Sequence, residues 1–286
     1  MNLRALIIGK VWPEPNSSAA GSRMMQLIEV LRSEGCNITF ASAASESPYS
    51  ANLEELEIGH ASIKLNDSSF DTLVADLSPD LVLFDRFMTE EQFGWRVAEN
   101  CPEALRILDT EDLHCLREAR QQAWKEERDI QESDLFNDLA KREIASILRC
   151  DLSLIISNFE MKLLKKGFRI DENLLLYVPF LLNGISEEEV TNWESYGKRK
   201  HFISIGNFLH EPNWNAVLYL KQDIWPIIRK QLPQAELHIY GAYPSQKVEQ
   251  LHNPKEGFLV KGRAENAKEV VGNSRVLLAP IRFGAG

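Results

Sequence analysis

Short apolar runs alternate along this chain with longer segments whose apolar residues recur every three or four positions. The first run is RALIIG (4–9), followed by a loop rich in Pro, Ser and Ala. Met24, Leu27, Ile28 and Leu31 share one face of a helix predicted over Ala20–Glu34, with Gly35 as its stop. NITFAS (37–42) reads as a second strand and ASIKL (61–65) as a weaker third. A helix over 69–77 breaks before Pro79, DLVLFD (80–85) is a strand, Glu90–Asn100 is helical, and ALRILD (104–109) is the next strand. Residues 113–149 are charged and free of Gly and Pro, with Leu135, Phe136, Leu139, Ala140, Ile144, Ile147 and Leu148 on a helical stripe. DLSLIIS (151–157) is a strand, Asn158 is a candidate cap for the helix after it, and LLLYVPF (174–180) closes this half.

Residues 181–200 are polar and read as a connector. From His201 the alternation resumes, and three runs end in glycine: HFISIG at Gly206, ELHIYG at Gly241 and GFLVKG at Gly262. A fourth, RVLLAP, leads into Arg282-Phe-Gly284-Ala-Gly286. The pattern predicts an α/β protein of two domains, 1–180 and 201–286, each a parallel sheet flanked by helices. Four strands are fewer than such a domain usually has, so the second is expected to be incomplete, with an open edge and uncovered apolar faces.

Composition narrows the class without changing this architecture. The chain of 286 residues is 44% hydrophobic and 26% charged, with a net charge of −10, which disfavours a general nucleic-acid binder. No apolar run approaches the roughly 18 residues that suggest a membrane span. The first strand is short and no small-residue cleavage site follows it, so no secretory leader is expected. Cys36, Cys101, Cys115 and Cys150 are scattered and form no CxxC pair, which reads as reduced thiols in a cytoplasmic protein. Sequons at Asn16, Asn37 and Asn66 then have no use.

Several chemistries lack their motifs. There is no Asp-x-Asp for a metal-bound nucleotide sugar, no GxGxxG, no P-loop and no GxSxG, and His210-Glu-Pro-Asn-Trp lacks the second histidine of a zinc helix. Three constellations remain. Gly21, Ser22 and Arg23 lie in a loop at the start of the first helix, where an α/β sheet offers backbone N–H groups to an anion or acceptor, or where the loop simply caps the helix. Asp109-Thr-Glu-Asp-Leu-His114 follows a strand end; His114 and Asp109 are candidates for orienting a hydroxyl and moving a proton, against the alternative of a capped turn. Gly206, Asn207, Gly241, Gly262, Arg263, Arg282, Gly284 and Gly286 sit at the ends of one sheet, where glycine permits close approach and arginine neutralises a diphosphate.

HFISIGNFLHEPNWNAVLYL, AELHIYGAYPS, GFLVKGRAENA and VLLAPIRFGAG, in that order, resemble the donor half of family 4 glycosyltransferases of the GT-B fold. CDLSLIISNFE and YVPFLLNGI resemble the matching parts of that family's first half. The resemblance implies two Rossmann-like domains, a nucleotide-diphosphate sugar as donor substrate, no cofactor and no metal. It also implies transfer with retention of configuration to a glycan, lipid or small-molecule acceptor, with peripheral membrane contact permitted. By position, Gly206 and Asn207 meet the donor near its phosphates, Gly262 and Arg263 border the base, and Gly284 to Gly286 offer amides to the diphosphate. His114 falls near a first-domain histidine that positions acceptor and sugar. Two departures stand out: the family's glutamate before the phosphate-loop glycine is replaced by Arg282-Phe283, and the acidic and basic helix that follows is absent, so a C-terminally truncated chain with little activity is expected. The alternatives are a non-catalytic nucleotide-binding homologue and a sugar-nucleotide 2-epimerase.

Overall fold

The computed structural model describes residues 3–285. Gly286, a predicted donor contact, lies outside the described residues. The chain divides into two compact units. The first runs to Pro15, resumes over Ala20–Leu182 and takes in the residues from Gly284; the second comprises Asn16–Ala19 and Asn183–Phe283.

In the first unit β1 (Arg4–Gly9), β2 (Asn37–Ser42), β3 (Gly59–Ser62), β4 (Leu81–Asp85), β5 (Leu105–Asp109), β6 (Leu152–Ile155) and β7 (Leu175–Tyr177) form one sheet. Its order is β3-β2-β1-β4-β5-β6-β7 and all its pairings are parallel. The helices between strands are α1 (Ala19–Ser33), α2 (Ser69–Leu77), α3 (Arg86–Asn100), α4 (His114–Lys125), α5 (Asp138–Arg149) and α6 (Asn158–Lys162). Strands covered on both faces must be apolar at every position. In β1, Ala5 and Ile7 join one core cluster while Leu6 and Ile8 join another; in β4, Leu81 and Leu83 divide from Val82 and Phe84 in the same way. That is why these two strands read as unbroken apolar runs.

Local chemistry explains most departures from the sequence expectation. The helix predicted from Glu90 begins at Arg86. Ser157, not Asn158, caps α6: its side chain accepts the Glu160 N–H. The charged stretch 113–149 is two helices with a 3₁₀ turn at Glu132–Phe136. Of its expected stripe, Ala140 and Ile147 are buried, whereas Phe136 and Leu148 are exposed. All four cysteines are unpaired with one another.

The second unit opens with α7 (Glu187–Asn192), inside the expected connector. Its sheet contains β8 (Lys200–Ile205), β9 (Leu237–Tyr240), β10 (Phe258–Gly262) and β11 (Ser274–Leu277) in the parallel order β10-β9-β8-β11. α8 (Glu211–Tyr219) follows β8 and runs through a π-helical turn at Leu220–Ile224 into a helix at Trp225–Gln231. Pro226 accounts for the widened turn, because it has no N–H and its ring presses on the carbonyl four residues back. Phe208, Val217, Leu220, Trp225, Leu237, Ile239, Val248 and Phe258 make the core on this side. β11 forms one edge of the sheet, with Leu277 half-exposed. No helix among the described residues is long and apolar enough to cross a membrane.

Trp225 is buried, meets Phe202 edge-on at 5.7 Å and donates its indole N–H to the Glu256 carbonyl at 2.7 Å. Trp225→Ala is expected to lower stability by about 3–5 kcal/mol, read as a reduced urea midpoint.

Candidate functional site

An open parallel sheet offers its ligand site where strand order reverses, beyond the carboxyl ends of the two strands there. In the first sheet these are β1 and β4. Lys10 follows β1 and its backbone N–H donates to Asp85 Oδ2 at 3.0 Å, so the last residue of β4 is held at the reversal. The next residue, Arg86, has a left-handed backbone (φ 71°), and so has Glu111 (φ 60°), two residues beyond β5. Such backbones cost about 1–3 kcal/mol each and collect at functional sites. Two of them on adjacent strand ends mark this pole independently of sequence motifs.

The electrostatics there are unusual. Asp109 is 0% exposed and Arg23 1%. Arg23 donates to Asp109 at 2.9–3.1 Å and to the carbonyls of Val178 and Pro179 at 2.8 and 3.2 Å. Burial pushes the Asp109 carboxyl up, and the guanidinium opposes that. Glu111 lacks such a partner: its Oε1 is buried without a hydrogen bond. Burial pushes its carboxyl up to about 8, with Arg86 working against the rise and Asp85 and Asp109 adding to it. At neutral pH it is therefore a protonated acid, able to donate a hydrogen bond, as carboxyls in dry sites are. Burial and Arg86 lower the Lys10 ammonium below its ordinary value.

His114 opens α4. Its Nδ1 lies 3.3 Å from Glu143 Oε1, and its ring meets Phe87 edge-on at 5.4 Å. A carboxylate beside Nδ1 holds the ring in one orientation, as second partners of imidazoles do. Glu143 also caps the helix, accepting from the His114 and Cys115 N–H groups, and Glu160 accepts from that of Leu113, at 2.7–2.8 Å. The N-terminus of α4 is thus occupied by the protein's own acids.

The loop before α1 is built around packing. A Cβ on Gly21 would run into the backbone of Glu14, and Ser22 Oγ donates to the Pro15 carbonyl at 2.7 Å. Gly21 and Ser22, expected to meet an acceptor, shape this loop. Arg23 and Asp109, expected to meet ligands, are enclosed as a clamp between α1 and the end of β5. Lys10, Asp85, Arg86, Glu111, Glu143 and Glu160 were not singled out from sequence. Glu143 had a signal: it interrupts the apolar face between Ala140 and Ile147.

In the second sheet the order reverses between β8 and β11. Gly206 and Asn207 follow the first, and Arg282 lies beyond the second. Asn207 Oδ1 accepts the Leu209 N–H at 2.8 Å, and its Nδ2 donates to the Ser17 carbonyl at 3.2 Å. Arg282 Nε donates to Asn215 Oδ1 at 2.8 Å, and its guanidinium lies 4.4 Å from the Tyr219 ring centre, so both contacts come from α8. The glycines have distinct reasons. A Cβ on Gly241 would strike the Gly206 carbonyl and Phe208, and one on Gly206 would approach Asn213 to 2.7 Å. The Gly206 N–H goes to the Tyr240 carbonyl at 3.1 Å and that of Gly241 to Gly262 at 2.8 Å. These two amides extend the ladder, and do not point free to a ligand as expected. Gly262 has open space beside it and a left-handed backbone (φ 74°). Arg263 is half-buried. Gly284, expected in the donor loop, groups with the first unit, where its carbonyl accepts from Arg120 at 2.6 Å.

A surface concavity lined by Trp124, Glu127, Arg128 and Asp129 lies at the C-terminal end of α4.

Residues 199–286 match the family described as Glycosyl transferases group 1. No curated protein matches the sequence. Among solved structures, the chain is similar to sucrose-phosphate synthase from Thermosynechococcus elongatus, at 14% identity and a TM-score of 0.65, over 100% of this chain and 77% of that one. It is similar to a glycosyltransferase from Rickettsia africae (11% identity, TM-score 0.60, 97% and 73% covered). It is also similar to MnaA of S. aureus, solved with UDP (12%, 0.59, 96% and 74%). The fold is that of these proteins: mixed α/β with parallel, Rossmann-like sheets. The family match falls on the second unit's strands.

Two predictions follow from the first pole. Arg23→Met leaves Asp109 enclosed without its partner and is expected to cost about 3–5 kcal/mol, with Arg23→Met/Asp109→Leu recovering most of the loss in urea unfolding. Glu111 has a folded-state value above its unfolded one, so its stabilising share is full below about pH 4.5 and is lost as pH rises through about 8. Glu111→Gln should therefore match the parent in unfolding free energy at pH 4.5 and exceed it at pH 9 by on the order of a few kcal/mol, read from urea unfolding.

Proposed function

We propose that this chain transfers a sugar from a nucleotide-diphosphate sugar to an acceptor hydroxyl. The observation that carries the reading is the match of residues 199–286 to Glycosyl transferases group 1. It coincides with a strand-order reversal that holds Asn207 and Arg282. UDP bound to the S. aureus neighbour supports a nucleoside diphosphate as the leaving group.

In this reading Arg263 and Arg282, with Asn207 and the backbone at Gly262, face the donor, and the arginines meet the negative charge that develops on the departing diphosphate. His114, oriented by Glu143, accepts the hydroxyl proton through Nε2. Protonated Glu111 donates a hydrogen bond to the acceptor. Family 4 membership, retention at the anomeric carbon, a donor bound without metal and a cytoplasmic location complete the proposal. The lack of any Asp-x-Asp pair supports the third of these. The acceptor is a glycan, a lipid or a small molecule.

Calorimetry with UDP, GDP and ADP, followed by transfer assays with the matching sugar donors, tests it. One diphosphate is expected to bind. Arg263→Ala and Arg282→Ala should each weaken it by about tenfold, the scale of one charge-assisted contact. His114→Ala should leave that affinity within about twofold and lower transfer by about 100-fold. Absence of nucleotide binding would overturn the reading, and binding without transfer of any sugar would reduce it to a nucleotide-binding homologue.

A further inference from the structure

Three side chains at the far end of the second sheet, away from its glycines, form a set that sequence reading passed over. His201 is the second residue of β8, Glu236 immediately precedes β9, and His238 is the second residue of β9. The parallel register pairs Phe202 with Leu237 and Ile203 with His238, and the Phe202 N–H donates to the Glu236 carbonyl at 2.8 Å. Side chains alternate along a strand, so His201, Glu236 and His238 fall on one face.

Their polar atoms converge. His201 Nδ1 is 3.2 Å from Glu236 Oε2, and His238 Nε2 is 2.9 Å from the same oxygen. The two imidazoles stack, with ring centres 4.3 Å apart and planes 22° from parallel. One nitrogen from each ring and the carboxylate oxygen all lie within 4.8 Å of one another. His201 reaches this position with a left-handed backbone (φ 62°), rare for a side-chain-bearing residue inside a strand.

We propose that His201, Glu236 and His238 bind a first-row divalent transition metal, with zinc as the cation whose chemistry they fit. Zinc takes imidazole nitrogen and carboxylate oxygen at about 2.0–2.2 Å, so tetrahedral ligands stand about 3.3 Å from one another. The separations of 3.2 and 2.9 Å from Glu236 are close to that, and a small swing of the imidazoles completes the triad. Two nitrogens among three ligands select zinc, nickel or cobalt over magnesium and calcium, which prefer oxygen throughout. Side-chain exposures of 37% for His201, 40% for Glu236 and 15% for His238 leave an open side for water as fourth ligand. Lys261, on β10, acts electrostatically on His238 and Glu236 and opposes a dication, which limits the affinity. The bound metal would tie the start of β8 to the start of β9, two strands whose other ends carry Gly206 and Gly241. A ligand that binds only the folded chain stabilises it.

The test uses the untagged full chain, stripped with chelator and dialysed. Zinc calorimetry is expected to give one site per chain, and zinc to raise the unfolding temperature. Cobalt(II) should give the intense visible absorption of a four-coordinate site. His238→Ala and Glu236→Gln should each weaken zinc binding by at least about tenfold with an unchanged far-ultraviolet dichroism spectrum, and Lys261→Met should strengthen it. No zinc heat and no four-coordinate cobalt band in the parent chain would overturn the proposal, whatever the variants do. So would one-to-one binding that survives both His201→Ala and His238→Ala.

Discussion

The ion pair between Arg23 and Asp109 is the contact on which the strand-end pole of the first unit depends. Arg23 lies on the helix that follows β1, Asp109 ends β5, and the other acceptors of Arg23 are the carbonyls just after β7. One guanidinium thus binds elements from both sides of the strand-order reversal. A pair this enclosed gains little net stability, because both charges are taken out of water. What it supplies is position: the forked donors fit only one arrangement of α1, β5 and the segment after β7.

With Asp109 committed to Arg23, the remaining acids of this pole have different surroundings. Asp85 receives the Lys10 N–H and lies beside Arg86, whose Nε is 3.6 Å from Oδ1. Glu111 has neither contact, and the fields of Asp85 and Asp109 add to its desolvation. Burial is thus the main cause of the raised Glu111 carboxyl, with Arg86 working against the rise, and a carboxyl kept protonated in a dry site serves as the acid in many active sites.

Much of this architecture was legible in the residues. β1 and β4 are apolar at successive positions because both faces are covered, and such runs are hard to mistake. β3 was misplaced, over 61–65 rather than Gly59–Ser62, because it is short and polar and pairs on one side only. The glycines were placed at strand ends but explained incompletely: Gly241 is small because the Gly206 carbonyl and Phe208 crowd it, and Gly206 because Asn213 does. Arg23 and Asp109 were both singled out, yet nothing in their separation along the chain says that they find each other. Glu160 was invisible for the same reason, since a helix cap supplied from another helix leaves no local motif, and Glu143 showed only as a break in an apolar face.

The two ends of the second sheet differ in a way that parallel pairing makes necessary. Every strand begins at one end and finishes at the other, so all loops that leave strands collect together. At the finishing end Gly206, Gly241 and Gly262 remove side chains, and the ladder continues through their backbones. The beginning end has no such demand for close approach, and it keeps bulky polar groups: His201, Glu236 and His238 in mutual contact. Register links the ends, because Ile205 pairs with Tyr240 in the same frame that pairs Phe202 with Leu237. A slip of one residue would turn His238 to the opposite face and also separate Gly206 from the Gly241 loop it crosses. The polar set at one end and the glycines at the other are therefore two consequences of a single register.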